Sequence, residues 1–391
     1  MSTLQKTIFK AKLPPVAPVG SSRGSRRAGI GRKRDYTPVL WSQYFSECHD
    51  VAVNDNQFRV YSLGNSGPLL VLLHGGGFSA LTWALFSSSV TSLMKCQVLA
   101  IDLRGHGDTK TTDEEDLSAE TMSKDIRDII GAMYGAEPPP IILIGHSMGG
   151  AIAVHTASAN YIPSLIGLAV IDVVEGTALD ALTSMQSFLR GRPSSFSSLE
   201  QAIEWCVRSA QVRNIDSARV SMPGQIKNVE TGKLGTNDIG TYVPVAEKQS
   251  AVSNDAIREE DDSEATNCEH SEQNFKHPAN TTGVGNAKKY VWRIDLTRTE
   301  KYWSGWFKGL SNAFLNCPVP KMVLLAGIDR LDKELTVGQM QGKFQLQVLQ
   351  HSGHAVQEDV PDKVSEILAT FMLRHQFAEA ESNFERTFPA C

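Results

Sequence analysis

The sequence lacks the marks of several classes of protein. Its 391 residues contain only six cysteines, widely scattered and without a C-x-x-C pair, so neither a disulfide framework nor a zinc site is indicated. No run approaches the roughly 20 consecutive apolar residues that a membrane-spanning helix needs. The first residues lack the apolar core of a secretory signal. We therefore expect a protein that has no membrane segment and stays inside the cell.

An excess of cations is absent as well. The formal net charge is −5, which gives no general attraction to nucleic acid, because that binding depends on clustered Lys and Arg. Only the N-terminal segment is basic, and we expect residues 1–38 to be a disordered basic arm. Its cations resemble a nuclear localisation patch, so we expect a cytoplasmic protein and leave nuclear entry open. They are Arg23, Arg26, Arg27, Arg32, Lys33 and Arg34.

From residue 39 onward, short apolar runs alternate with helical patterns. Uninterrupted apolar strands that are separated by helices indicate a mostly parallel sheet covered on both faces. The predicted fold class is therefore α/β, with 39–391 as one domain. The predicted strands are Phe58–Ser62, Leu69–Leu73, Gln97–Asp102, Ile141–Ile144, Gly167–Val173, Met322–Ala326 and Phe344–Leu349.

Residues from about 175 to 315 are predicted to form a helical cap over the sheet, with helical patterns at Leu199–Ala210 and Tyr302–Phe314. Within the cap, about 228–289 is acidic and poor in aromatic residues, so it cannot bury enough apolar surface to offset its ordering entropy. We interpret it as a disordered insertion. Two roles stay open for Trp303, Trp306 and Phe307: helix core, or a wall that contacts substrate.

Ser147 is the strongest candidate for chemistry. It stands at the centre of G-x-S-x-G, between the apolar run Ile141–Ile144 and a helix start rich in Gly and Ala. This strand, turn and helix context predicts the nucleophile elbow of the α/β-hydrolase fold. Gly145 and Gly149 are needed there because a Cβ would collide in so tight a turn. His146, inside the motif, is interpreted as packing.

Three glycines follow the predicted strand Leu69–Leu73, at 75–77. In this fold such a loop supplies one backbone N–H of the oxyanion hole, and the residue after the nucleophile supplies the other. We assign these donors to Gly76 and Met148 and keep Gly77 as an alternative. His106 precedes the nucleophile in the chain and is interpreted as a structural residue of its turn.

The base and the acid should follow the nucleophile, because the order in this fold is Ser, acid, His. His354 lies just before the closing predicted helix, Pro361–His375, and is favoured over His351. Two aspartates, Asp172 and Asp329, each end an apolar strand, and periodicity alone does not choose between them. The two histidines have no third ligand nearby in the sequence, so we expect neither metal nor cofactor.

Several longer motifs closely resemble the protein phosphatase methylesterases. They are Asp172–Ala178, 184–193, Arg330-Leu-Asp and Gly338–Phe344. The resemblance implies an α/β-hydrolase that removes the methyl ester from the C-terminal leucine of the protein phosphatase 2A catalytic subunit, free or in its holoenzyme. It places the nucleophile on Ser147, the base on His354 and the acid on Asp172.

Two rival functions remain at this point. The first is an esterase for small or lipid esters, which would share the elbow but act independently of the phosphatase. The second is a protein that binds and masks the phosphatase, with catalysis as a secondary property. For each we expect a monomer that uses no cofactor.

Overall fold

A central β-sheet forms the frame of the protein. The structure is a computed structural model that describes residues 34–241, 289–327, 331–381 and 384. The strands within these ranges are β1 (Glu47–Val53), β2 (Asn56–Leu63), β3 (Leu69–Leu73), β4 (Gln97–Ile101), β5 (Ile141–His146), β6 (Leu165–Ile171), β7 (Ile226–Asn228), β8 (Tyr290–Trp292), β9 (Lys321–Leu325) and β10 (Gln345–Val348). The described part of the sheet has eight strands in the order β1-β2-β4-β3-β5-β6-β9-β10.

Helices connect the strands and cover both faces of the sheet. Those in the described ranges are α1 (Ala84–Leu93), α2 (Ala119–Tyr134), α3 (Met148–Ser158), α4 (Glu175–Arg190), α5 (Leu199–Arg208), α6 (Ile215–Ser221), α7 (Glu300–Phe307), α8 (Leu310–Asn316), α9 (Lys333–Met340), α10 (Val356–Asp359) and α11 (Pro361–Arg374). Short 3-10 helices lie at Trp41–Gln43, Ala80–Trp83, Met222–Gln225, Gly235–Thr241 and Leu296–Thr299.

Burial on both faces explains why the central strands are apolar throughout. All five residues of β3 are buried. Leu69, Val71 and Leu73 pack in one apolar layer with α2 and α3, whereas Leu70 and Leu72 pack in the opposite layer with α1 and α11. Since each fully buried side chain of this size contributes about 1.5–3 kcal/mol, these two layers supply much of the stability that holds the site in place.

Parallel pairing places the carboxyl ends of the central strands at one edge of the sheet. The strands β4, β3, β5, β6, β9 and β10 run parallel, and only β2 pairs antiparallel, with β1 and β4. In register, Leu73 lies beside Gly145, and Ile171 lies beside Leu324. The prediction of a mostly parallel sheet is confirmed, and the loops after these strands converge.

Two details of the predicted elements differ from the structure. The strand β1 was not predicted, because it is an edge strand with six of its seven residues at least partly exposed, and its exposed Glu47, His49 and Asp50 leave no clear apolar pattern. The helical pattern Tyr302–Phe314 is two helices, α7 and α8. The chain turns between them at Gly309, whose φ of 79° lies in the left-handed region that favours glycine.

The first part of the disordered insertion predicted at about 228–289 is folded. Residues 242–288 lie outside the described ranges, but the stretch before them is folded. Leu234 is only 3% exposed, and Asp238 accepts hydrogen bonds from the side chains of Asn228 and Tyr290 at 2.8 and 2.7 Å. These few contacts, which composition over a long window averages away, order the chain up to the 3-10 helix Gly235–Thr241.

Other expectations concern residues that the structure describes only in part. Of the predicted basic arm, 1–33 lies outside the described ranges. The described residues from Tyr36 onward form one compact unit. Within the described residues, no helix is long and apolar enough to cross a membrane, and the four cysteines that can be judged, Cys48, Cys96, Cys206 and Cys317, are free thiols.

Candidate active site

Ser147 lies at the turn between β5 and α3, with the strained geometry of a nucleophile elbow. Its backbone has φ 51° and ψ −120°, and its N–H donates to the Ile171 carbonyl oxygen at 2.9 Å. A Cβ on Gly145 would collide with the Gly149 carbonyl oxygen, and one on Gly149 would collide with that of His74. The turn therefore requires both glycines, and it lifts the serine to the carboxyl edge of the sheet.

The structure brings three predicted residues from separate strand ends into one hydrogen-bonded chain. Ser147 Oγ–H donates to Nε2 of His354 at 3.0 Å, and the His354 Nδ1–H donates to Oδ2 of Asp172 at 2.7 Å. The other carboxylate oxygen of Asp172 accepts the Ala326 N–H at 3.0 Å. This is the geometry that a nucleophile, base and orienting acid require.

Exposure differs along this chain in a way that suits the chemistry. The side chain of Asp172 is completely buried, whereas that of His354 is 50% exposed. A buried carboxylate held by two donors keeps a fixed direction, and a half-exposed imidazole can exchange a proton with the cavity. The arrangement therefore combines a rigid acid with an accessible base.

The alternatives for base and acid have different outcomes. His351 is exposed, and its carbonyl oxygen accepts Nη1 of Arg213 at 2.9 Å. The structure thus brings His354, and not His351, to the serine. Asp329 lies outside the described residues, so the structure places only one of the two candidate acids, Asp172, beside the histidine.

The glycine loop after β3 has one N–H that is already used. The Gly77 N–H donates to Nε2 of His106 at 2.9 Å. The structure gives the Gly76 N–H no acceptor among the described residues, and Gly76 lines the same cavity as Met148. As the first residue of α3, Met148 has an N–H without an acceptor inside the helix. The pair left for an oxyanion is therefore Gly76 and Met148.

Buried histidines fix the position of this loop. Burial lowers the pKa of His106 to about 4 and that of His74 well below its usual value, so both rings are neutral. Each ring uses one nitrogen as donor and one as acceptor. His106 donates to the Arg104 carbonyl oxygen and accepts the Gly77 N–H. His74 donates to the Gly75 carbonyl oxygen and accepts the Leu103 N–H. His106 therefore has a structural place in the oxyanion loop.

His146 connects the elbow to the loop that carries the base. Its Nε2–H donates to the carbonyl oxygen of His354 at 2.8 Å, and the two rings lie 4.8 Å apart. Burial lowers the pKa of His146 to about 3, so the ring is neutral and this donor is always present. The sequence analysis interpreted His146 as packing, and the hydrogen bond to the catalytic loop was missed.

A cavity of about 640 Å³ opens above the serine. Its lining is largely apolar and comes from the predicted cap: α4, the loop before α6, and α7. Trp303, Trp306 and Phe307 are nearly fully buried in the core and also line the cavity; a contact with substrate stays a prediction. The cap therefore shapes an apolar space at the reactive group.

Arg192 is a charged lining residue that was not predicted from the sequence. It was noted only as part of the motif 184–193, and no spacing rule marks a lone arginine as a binding group.

No cluster of three or more metal-binding side chains occurs among the residues that the structure describes.

Comparison with known proteins agrees with this geometry. Residues 70–367 match the model of the Alpha/beta hydrolase family. Protein phosphatase methylesterase 1 of Mus musculus is 54% identical over 405 aligned positions that cover 100% of both chains. The chain belongs to the protein phosphatase methylesterases. Another relative of this family, probable protein phosphatase methylesterase 1 of Caenorhabditis elegans, is 44% identical over 96% of this chain and 86% of its own.

Solved structures show the fold that this methylesterase family shares with other hydrolases. E-2-(acetamidomethylene)succinate hydrolase superposes with a TM-score of 0.58 at 16% identity, covering 83% of this chain and 98% of its own. An esterase of Mycobacterium tuberculosis gives a TM-score of 0.54 at 19% identity, over 83% and 91%. The predicted α/β-hydrolase fold is confirmed, and the chain is a hydrolase of this class.

Proposed function

We propose that this protein is a serine carboxylesterase that removes the methyl ester from the C-terminal leucine of the protein phosphatase 2A catalytic subunit. The observation that carries the proposal is the hydrogen-bonded chain from Ser147 through His354 to Asp172, with distances of 3.0 and 2.7 Å. The family supplies the substrate class, since its members are named for a phosphatase methyl ester.

The first half of the reaction is attack on the ester. His354 takes the proton of Ser147 as Oγ adds to the ester carbonyl carbon, and Asp172 stabilises the imidazolium that forms. The tetrahedral oxyanion accepts hydrogen bonds from the N–H groups of Gly76 and Met148, and the dipole at the N-terminus of α3 stabilises its negative charge. His354 then protonates the methoxy oxygen, and methanol leaves with the electron pair of the broken C–O bond.

The second half is hydrolysis of the acyl-enzyme. Water gives a proton to His354 and adds to the ester carbonyl on Ser147, again with the oxyanion held by the two N–H groups. His354 returns the proton to Oγ as the C–O bond to the serine breaks, and the leucine leaves as a carboxylic acid, which loses its proton to the solvent and becomes the carboxylate. Each step needs only groups already present, so the reaction requires no cofactor.

The cavity suits a leucine at the end of a polypeptide. Its walls include Met185 and Leu189 of α4 and Trp303 and Phe307 of α7, which are apolar partners for an isobutyl side chain. A methyl ester is uncharged, so it can enter this space without the cost of desolvating a carboxylate.

We further propose cytoplasmic localisation with access to the nucleus, on the basis of the N-terminal cations.

The experiment measures methanol released from the methylated phosphatase catalytic subunit. We expect Ser147→Ala to lower kcat by about 10⁴ or more, because the triad acts as a unit. Ser184→Ala is the matched control, since this cavity serine bonds the Ala181 carbonyl oxygen of its own helix at 2.9 Å and should stay within a few-fold of wild type.

The same assay distinguishes the rival functions. Efficient turnover of small acyl esters together with inactivity toward the methylated phosphatase would identify a general esterase and reject the proposal. Full demethylation by Ser147→Ala would reject the mechanism. Binding that inhibits the phosphatase, found in a wild-type protein that releases no methanol, would indicate a masking protein.

A further inference from the structure

Arg192 places a positive charge in the wall of a largely apolar cavity. It lies two residues after the end of α4 and lines the cavity together with Ser147 and Gly76. Its guanidinium carbon stacks over the Trp292 ring at 3.6 Å from the centroid. Nη2 donates to Oε1 of Gln211 at 3.3 Å. Aromatic stacking covers one face of the guanidinium and leaves its N–H edges for hydrogen bonds.

Among the described residues, no carboxylate forms an ion pair with this guanidinium. The Nε of Arg192 is buried without a hydrogen-bond acceptor among the same residues. Burial lowers the pKa of Arg192 to about 10, so the side chain is still charged at neutral pH. A partly buried cation without an ion-pair partner is costly for a protein to keep, and a ligand that brings an anion would reduce that cost.

The charge lies close to the reacting atoms. A Cβ built on Gly77, in the oxyanion loop, would be 3.7 Å from Nη1 of Arg192. Gln211, which accepts from Arg192, is itself held by a hydrogen bond from its Nε2 to Oε1 of Gln225 at 3.0 Å. The guanidinium is therefore fixed in direction beside the loop where the ester must bind.

We infer that Arg192 is a carboxylate-binding residue that recognises an anionic group of the polypeptide substrate. The inference rests on the proposed function, because it assigns part of the substrate to that same cavity. Arginine suits a carboxylate because its N–H fork matches the two oxygens, and such charge-assisted bonds are among the strongest in proteins. The carboxylate has two sources: an acidic side chain near the methylated end, or the leucine carboxylate that hydrolysis releases.

The test compares short peptides that end in leucine methyl ester and carry either Asp or Asn just before it. Arg192→Met removes the charge but keeps a long side chain that can pack on Trp292. Arg192→Lys keeps the charge without the fork. Arg190→Met is the matched control, since Arg190 is exposed on the same segment and bonds only Gln186, at 3.0 Å. The readouts are kcat/KM for each ester and the inhibition constant of each free-acid product.

Each source of the carboxylate gives its own result. If the anion is an acidic side chain, wild type should prefer the Asp ester by about 10- to 100-fold, and Arg192→Met should erase this preference. If the anion is the product, the Asp and Asn esters should react equally, and the free-acid peptide should inhibit Arg192→Met about 10- to 100-fold more weakly than wild type. In either case, the effect measured for Arg192→Lys should fall between those of wild type and Arg192→Met, and Arg190→Met should match wild type.

A correctly folded Arg192→Met with unchanged preference and unchanged product inhibition would overturn the inference and leave Arg192 as a support for Trp292. Wild type gives a further test if that variant does not fold: equal affinity for the free-acid peptide and its C-terminal amide, combined with no Asp preference, would also reject it. Calorimetric binding of these peptides to Ser147→Ala separates the two proposals, because it needs no hydrolysis. Failure of wild type to hydrolyse any methyl ester would reject the proposed function alone.

Discussion

Substitution of Asp172 by Asn tests the acid in the most direct manner, because the two carboxylate oxygens have different partners. Oδ1 accepts the Ala326 N–H at 3.0 Å, and Oδ2 accepts the His354 Nδ1–H at 2.7 Å. An amide has a single acceptor oxygen. If that oxygen keeps the Ala326 bond, the amide NH₂ faces Nδ1 and forces the proton of the imidazole onto Nε2. A protonated Nε2 can no longer accept the proton of Ser147.

The opposite orientation of the amide is also unfavourable. It restores the productive tautomer but turns the NH₂ toward the Ala326 N–H, so that two buried donors face each other without acceptors. Each orphaned donor costs about 1–3 kcal/mol, and the lost negative charge no longer stabilises the imidazolium. Together these effects amount to about 5 kcal/mol, so we expect kcat to fall about 10⁴-fold, as the same exchange does in a chymotrypsin-type triad.

The assay is methanol release from a leucine methyl ester peptide at saturating substrate, with thermal unfolding to establish that the variant is folded. Asp329→Asn is the comparison, because Asp329 was the rival acid in the sequence. If Asp172→Asn retained more than a tenth of wild-type kcat while Asp329→Asn lost most of it, the acid would be Asp329 and the assignment made from the geometry would be wrong.

Two further predictions concern buried groups near the base. His146→Phe keeps the ring that packs on His354 but removes the donor to the His354 carbonyl oxygen. The kcat should therefore fall about 10- to 100-fold with little change in KM. A kcat within two-fold of wild type would contradict this, and the pH profile of kcat is a second readout of an effect on the base. Glu358 is fully buried and accepts hydrogen bonds from Ser217 and Ser221 at 2.9 and 2.6 Å, and burial raises its pKa from 4.5 to about 8. The folded state holds this proton more tightly than the unfolded state, so the contribution of Glu358 to stability is complete below pH 4.5 and is lost, by a few kcal/mol, as pH rises to about 8. Urea unfolding of Glu358→Gln should therefore show a flatter pH dependence over this range. Parallel curves of unfolding free energy against pH for the two proteins would contradict the prediction.

The elbow could be predicted from sequence because its requirements are local. Gly145, Ser147 and Gly149 are close in the chain, and the collisions that exclude a Cβ arise within the turn and from the strand next to it. The central strands were equally clear, since burial on both faces makes them apolar at every position. Among the eight strands of the central sheet, only the exposed edge strand β1 was not predicted, because nothing in its environment demands an apolar side chain.

Contacts between distant parts of the chain were beyond reach. Whether Gly76 or Gly77 can donate to an oxyanion depends on His106, 29 residues later, which takes the Gly77 N–H. The residues alone left Asp172 and Asp329 both open for the same reason, because the choice depends on which strand end lies beside His354 in the folded sheet. Arg192 had no motif at all, because its proposed role depends on a place in the cavity wall without an ion-pair partner among the described residues.

The short pairing of β7 with β8 has a consequence for how this protein can change over evolutionary time. Asn228 and Tyr290 are direct partners in this antiparallel pair, so the two ends of the segment between them are held at neighbouring positions. The entropy of closing such a segment grows only slowly with its length. Residues can therefore be gained, lost or exchanged between these two anchors while the catalytic architecture stays intact, which makes this the natural place for lineage-specific sequence to accumulate.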